Sequence, residues 1–247
     1  MRRFFISKNR INGSVVFLTD SEARHLITVL RIKSGEIVEL FDGEGTEYEG
    51  RVTHAFSGQV EISISRILNK KKESPVEIIL AQAMLKSKKM DTLVRQITEL
   101  GINMFLPFFA KRSVVSLTHD QVVKRTERWE KIVIESLKQC KRNILPKIEY
   151  PVSFEESISY GHNCGLPIIF WEKESKPLST QLFLKGNRSY DKIFAMFGPE
   201  GGFTKEEVKK AKAAGFICAS LGPRILRAET AAMAGSVLLQ HLFGDMG

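Results

Sequence analysis

Three short stretches put glycine, proline and charge where an apolar run stops. One follows "IIFW", at Trp171 and Glu172. The second is "GPEGG", Gly198 to Gly202. The third is "LGPRILRAET", Leu221 to Thr230. In the second, Gly201 and Gly202 admit a ligand to the main chain with no Cβ in the way. Thr204 is a natural N-cap for the helix that follows, with Glu206 and Glu207 in its first turn. A helix start rich in acids makes a poor phosphate cradle. The glycines also fit neither the dinucleotide nor the P-loop spacing. A neutral or cationic ligand suits the loop better. In the third stretch Arg224, Arg227 and Glu229 stand between an apolar strand and an apolar helix, and Ile225 and Leu226 offer an apolar wall to an aromatic ring. Gly-Pro at the end of each of two strands points to one pocket built mostly from main chain.

Such loops need strands that end together and helices that follow them. Residues 1 to 70 alternate apolar and polar in Gly13–Thr19, Glu36–Gly43, Glu47–Phe56 and Gln59–Leu68, the pattern of half-buried strands in a small barrel. Ser21–Glu36 holds one short helix, capped by Asp20 or Ser21 and ended at Gly35. Gly43 and Gly45 permit a hairpin turn. Asn69–Pro75, "NKKKESP", is polar and ends in proline, which reads as a linker. Beyond it, Val76–Met84 and the runs "NMFLPFFA", "LPIIFWE", "KIFAMFGPEGG" and "FICASLG" are buried strands. Amphipathic helices alternate with them. The order predicts an α/β domain with a largely parallel sheet over 75–247, after a β-barrel over 1–70.

The 247 residues are 43% hydrophobic, enough for a core, which excludes a disordered chain. The formal net charge of +9 points to a polyanionic partner. No apolar run approaches the roughly 18 residues of a membrane span. "MRRFFISKNR" lacks the apolar core of a signal peptide. These features predict a cytoplasmic protein with no membrane partner. Cys140, Cys164 and Cys218 are well separated and form no C-x-x-C pair, so no metal site or disulfide framework is expected.

"FGPEGGFTKEEV" with "LGPRILRAETAA" strongly resembles the RsmE family, SPOUT-type methyltransferases that act on N3 of a uracil in 16S ribosomal RNA. "MRRFFI", "HLITVLRIKSGE" and "FDGEG" resemble the family's PUA-like N-terminal barrel. "QAMLKSKKMDTLVRQITELGI", "RSVV" and "ERWEKIVIESLKQCKRNILPKI" match its middle. The resemblance runs in order along almost the whole chain. One departure is Lys141 in "QCKR", where the family pattern leads one to expect glycine or another small residue; Gln139 and Arg142 remain.

The resemblance implies S-adenosylmethionine as methyl donor, bound in a trefoil knot, a homodimer with the cofactor near its interface, and a barrel that helps grip RNA. It implies cofactor contacts at Glu172, Gly198, Pro199, Glu200, Gly201, Gly202, Leu221, Gly222, Ile225, Leu226 and Thr230. Adenine would lie on the main chain of Leu221, Gly222 and Leu226, with Ile225 nearby. Glu172 and Glu200 would hold ribose hydroxyls or favour the sulfonium charge. Arg227 is placed to stabilise charge on the uracil carbonyl oxygens, and Glu229 is the candidate general base. RNA contacts are expected from Arg2, Arg3, Lys8 and Arg10, from His25 and Arg31, from Lys86, Lys88 and Lys89 at a helix start, and from Lys111, Arg112 and Arg142. Each has a plainer reading: solvated charge for the bases, a structural histidine for His25, a first-turn acid facing the helix dipole for Glu229. Two rivals stand beside this reading. One is a related knotted methyltransferase acting on another RNA group, such as a ribose 2′-oxygen. The other is an RNA-binding module of the same fold without catalysis.

Overall fold

The computed structural model describes residues 2–56, 58–68, 73–185 and 189–247. The chain divides into two compact units, residues 1–73 with 137–145, and residues 74–136 with 146–247. Residues 137–145 therefore count with the first unit, although the sequence pattern alone groups them with 75–247. Much of the expected linker Asn69–Pro75 lies outside the described residues, as do the side chains of Asp20, Ser21 and His25.

The first unit holds β1 (Arg2–Phe5), β2 (Ile11–Asn12), β3 (Val15–Thr19), α1 (Asp20–Arg24), β4 (Ile37–Phe41), β5 (Glu47–Phe56) and β6 (Gln59–Leu68). They form a six-stranded sheet in the order β1-β4-β5-β6-β3-β2, antiparallel except for β1 against β4. Alternate side chains of five strands meet in one core, including Phe4, Val16, Leu18, Val38, Leu40, Val52, Val60 and Ile62. The β4–β5 turn uses Gly43 and Gly45 at φ 76° and 108°, where a Cβ would be strained.

The second unit holds β7 (Glu77–Ala83), α2 (Ser87–Glu99), β8 (Met104–Phe109), α3 (His119–Cys140), β9 (Lys147–Ile148), β10 (Val152–Ser153), α4 (Phe154–His162), β11 (Leu166–Phe170), α5 (Leu178–Lys185), β12 (Lys192–Phe197), α6 (Lys205–Ala213), β13 (Ile217–Ala219) and α7 (Ala228–Phe243); the last turn of α3 belongs to the first unit. The sheet order is β10-β8-β7-β12-β11-β13, with β9 beside β8. Every pairing is parallel. β11 is buried at all five positions, as a strand covered on both faces must be.

Helix α7 lies close to the sheet because its packed face is small. A Cβ on Gly235 would fall 2.5 Å from the Phe197 ring, which stacks on Phe170 at 5.0 Å. The α/β class and largely parallel sheet follow the sequence pattern. The short α4, α5, β9 and β10 were not expected.

Candidate active site

Sheet register brings the three loops together. Phe170 pairs with Phe197 across β11 and β12, and with Ala219 across β11 and β13. The three strands thus end at one level, and the chain leaves each of them on the same edge. That carboxyl edge is where open α/β sheets hold their ligands. A cavity of about 500 Å³ lies there, within the second unit. Its walls are Phe170–Lys173, Phe197–Phe203, Ser220–Gly222 and Arg224–Arg227, with Lys89 from α2 and Ala228 and Ala231 from α7.

The loops are fixed from behind. Gln82, fully buried at the end of β7, donates to the carbonyls of Gly198 and Ala83 at 2.9 and 3.0 Å. The Gly202 amide closes a turn onto Pro199 O at 2.9 Å. Thr204 caps α6 as expected. Its hydroxyl accepts from the Glu207 amide, and Glu207 accepts from the Thr204 amide at 2.8 Å. The other Glu207 oxygen accepts from the Lys111 amide at 2.8 Å, so one buried carboxylate ties the loop after β8 to the start of α6. In the last loop the Gly222 amide donates to Ser220 Oγ at 3.1 Å, with φ 109° at Gly222.

The glycines serve different ends. A Cβ on Gly222 would meet no atom within 4 Å and would stand in open space at the cavity wall. A Cβ on Gly202 would lie 2.7 Å from Glu172 Oε1, at a φ of 67°. One on Gly198 would press the Phe203 ring at 3.2 Å. Gly201 also lines the cavity, with its Cα hydrogens turned partly toward another neighbour. Its Cβ would face the aliphatic stem of Arg112 at 3.2 Å, and its carbonyl accepts from Arg112 Nη1 at 2.9 Å. Gly201 is small because Arg112 packs beneath it.

Of the residues expected to meet a cofactor, Glu172, Gly198, Pro199, Glu200, Gly201, Gly202, Leu221, Gly222, Ile225 and Leu226 all line the cavity; Thr230 does not. Ile225 is 85% exposed, an apolar side chain held out at the rim. Arg227 lines the cavity as the N-cap of α7. Glu229, in the first turn of α7, does not line it, but its Oε2 lies 3.4 Å from Lys89 Nζ, which does. Trp171, whose buried indole Nε1 has no partner among the described residues, was not foreseen as a wall residue, although it sat in the loop singled out.

Several expected RNA contacts are placed elsewhere. Arg3 is buried: its guanidinium bonds Glu47 and Leu137 O, each at 2.6 Å, and stacks on Phe41. Arg142 is buried against Glu73 at 2.6 Å. Both pairs lie inside the first unit and hold it together, because a buried cation must be matched. Lys89 turns into the cavity and pairs with Glu200 at 3.2 Å. Arg2, Lys8, Arg10, Arg31, Lys86, Lys88, Lys111 and Arg112 are exposed. Of these, Arg2 pairs with Glu36 and Lys8 with Glu44 at the surface. The His25 side chain lies outside the described residues.

An RNA methyltransferase domain model matches residues 72–240, and an RNA methyltransferase PUA domain model matches residues 18–65. The ribosomal RNA small subunit methyltransferase E of Bacillus subtilis is 31% identical, over 94% of this chain and 93% of its own. The chain belongs to that methyltransferase family. The Aquifex aeolicus member is 34% identical over 92% of this chain and 94% of its own. Solved structures agree over full length. The small subunit methyltransferase E of Neisseria gonorrhoeae, bound to S-adenosylmethionine, superposes with a TM-score of 0.89 at 32% identity and 100% coverage of both chains. A Legionella pneumophila protein solved with the same cofactor gives 0.90 at 30%, covering 98% of each. The family's fold is α/β of SPOUT type with a PUA-like N-terminal domain, and its members are RNA methyltransferases.

Proposed function

We propose that this protein transfers the methyl group of S-adenosylmethionine to N3 of a uracil in 16S ribosomal RNA. The observation that carries the reading is the cavity where β11, β12 and β13 end, walled by the two Gly-Pro loops. Its size, about 500 Å³, suits a nucleoside-sized ligand. The residues present fit the cofactor. Gly222 leaves open space that a Cβ would fill, and Trp171 Nε1 is a buried donor with no partner among the described residues. Ile225 and Leu226 supply apolar surface for an adenine, and the main chain of Leu221, Gly222 and Leu226 supplies its hydrogen bonds. Gly198, Pro199 and Gly202 form the opposite wall. Glu172 and Glu200 hold ribose hydroxyls and favour a positive sulfur.

When bound, the donor supplies an electrophilic methyl group. The protein's own task is positioning and proton removal. N3 of uracil is protonated at neutral pH and is a poor nucleophile until that proton leaves. Glu229 takes it. Arg227, at the rim, stabilises the negative charge that spreads onto the uracil carbonyl oxygens. The walls hold donor and acceptor in line, which accounts for much of the rate.

RNA reaches the cavity over basic ground. Lys111, Arg112, Lys173 and Lys205 line a second concavity of about 480 Å³ that shares Lys173 and Phe203 with the first. Phosphates bind there and along Lys86 and Lys88. In the first unit Arg2, Arg10 and Arg31 are the contacts. Two further features complete the proposal. The chain returns from the edge strand β13 to pack α7 on α2, β7 and β12, and a trefoil knot formed by that return is part of the proposal. Exposed Val237 and Leu242 on α7 form part of a homodimer face. The protein works in the cytoplasm; among the described residues no helix is long and apolar enough to cross a membrane.

Calorimetry with S-adenosylmethionine, followed by transfer of labelled methyl to 16S RNA and to assembled small subunits, tests this. Micromolar binding with label in RNA is expected. Absence of cofactor heat would leave an RNA-binding module instead.

A further inference from the structure

Lys89 follows two exposed lysines, Lys86 and Lys88, yet behaves unlike either. Its Nζ lies 3.2 Å from Glu200 Oε1 and 3.4 Å from Glu229 Oε2. The three charges come from three elements: the first turn of α2, the loop after β12 and the first turn of α7. Their side chains are 34%, 29% and 19% exposed, partly withdrawn from water. Two carboxylates sharing such a site repel, and an ammonium between them offsets that repulsion. Burial alone would weaken that ammonium, but Glu200 and then Glu229 outweigh it and hold Lys89 above the usual lysine range. Glu229 Oε2 is in ion-pair range of Lys89.

We propose that Lys89 is a positioning residue for methyl transfer: its ammonium bridges Glu200 to Glu229 and holds the base aimed beside the cofactor loop. This rests on the function proposed above. The proton of N3 passes to the Glu229 carboxylate, and N3 keeps the electron pair. That pair forms the bond to the methyl carbon as the carbon–sulfur bond breaks, leaving its electrons on sulfur. Lys89 gains and loses no proton.

Other charges near Glu229 do not share the role. Glu172 and Lys173 enter the cavity from the loop after β11, and Arg224 and Arg227 from the loop after β13. On α2, Asp91 is taken up by Arg128 and Trp129. The charges of β7 and β12, Glu77 and Lys192, stand at the strands' amino ends and pair with each other at 2.9 Å. Among the described residues Lys89 is the one cation in ion-pair range of Glu200 or Glu229.

The test is kcat and KM measured separately, with 16S RNA as substrate, for the wild type, Lys89→Arg and Lys89→Met. Lys89→Met should lower kcat/KM by about tenfold or more, within the range of general-base effects. The loss should fall on kcat, with KM for the RNA little changed. Lys89→Arg should restore kcat. In a Glu229→Gln background, Lys89→Met should add little, because the two act as one unit. Should Lys89→Met fail to fold, Lys89→Gln carries the same comparison. A loss confined to KM, or to cofactor affinity measured by calorimetry, would overturn the inference. Wild-type protein that makes no N3-methylated product would instead overturn the function on which it rests.

Discussion

A single Cβ separates the two central glycines. Gly202 has φ 67° and would drive a Cβ to 2.7 Å from the Glu172 carboxylate, at the cavity wall. Gly201 has an ordinary φ and faces the stem of Arg112. Gly202→Ala should therefore weaken S-adenosylmethionine binding by about tenfold, the equivalent of the roughly 1–2 kcal/mol a left-handed residue costs when part of it falls on the bound state. Gly201→Ala should cost less, because a flexible side chain can yield. Calorimetry on both variants checks the order, and equal affinities would show that Gly202 is merely a turn residue. The loop glycines were legible in the sequence because Gly-Pro after a buried run marks a sharp exit from a strand. The partner each would touch was not. Lys89 reaches its carboxylates across more than 100 residues of chain, and no local pattern reports that. Arg3 and Glu47 were hidden for a similar reason: both sit on strands, facing a core that sequence alone leaves unmatched.

At the scale of elements, the long alternations carried the most. β5 and β6 span Glu47–Phe56 and Gln59–Leu68, the bounds the alternation predicts, although their register shifts between Glu49 and Gly50 and between Val52 and His54. α4 is short, and its signal was capping rather than periodicity: Ser153 and Glu156 form a reciprocal capping box. β9 and β10 have two residues each, too few to show any period. The departure at Lys141 has a backbone reason. Lys141 follows α3 at φ 66°, a left-handed conformation that favours glycine after a helix. Lys141→Gly should relieve that strain and stabilise the protein by about 0.5–1 kcal/mol. Urea unfolding measures it, and a lower midpoint at unchanged slope would mean the lysine side chain compensates.

For the whole molecule the +9 charge divides into two kinds. Arg3 neutralises the buried Glu47 and Arg142 the part-buried Glu73, whereas Arg2, Arg10 and Arg31 face solvent. Removing the three exposed arginines together should reduce the salt slope of RNA binding by up to about 3, near one for each phosphate they neutralise. Arg3→Ala should leave that slope unchanged and instead cost about 3–5 kcal/mol of stability, since Glu47 would be left buried and unpaired. Filter binding across salt concentrations and thermal melts separate the two. A slope changed by Arg3→Ala in folded protein would return Arg3 to the RNA surface.

The central claim is transfer to N3, and it is read most directly by reverse transcription of 16S RNA after reaction with the protein and S-adenosylmethionine. A methyl on N3 removes the donor that uracil uses in pairing. Extension should stop one nucleotide before a single uridine, only when both protein and cofactor are present, and Glu229→Gln should weaken the stop. Labelled methyl in the RNA with no stop would place the group on a ribose 2′-oxygen or another non-pairing atom, and would contradict the account.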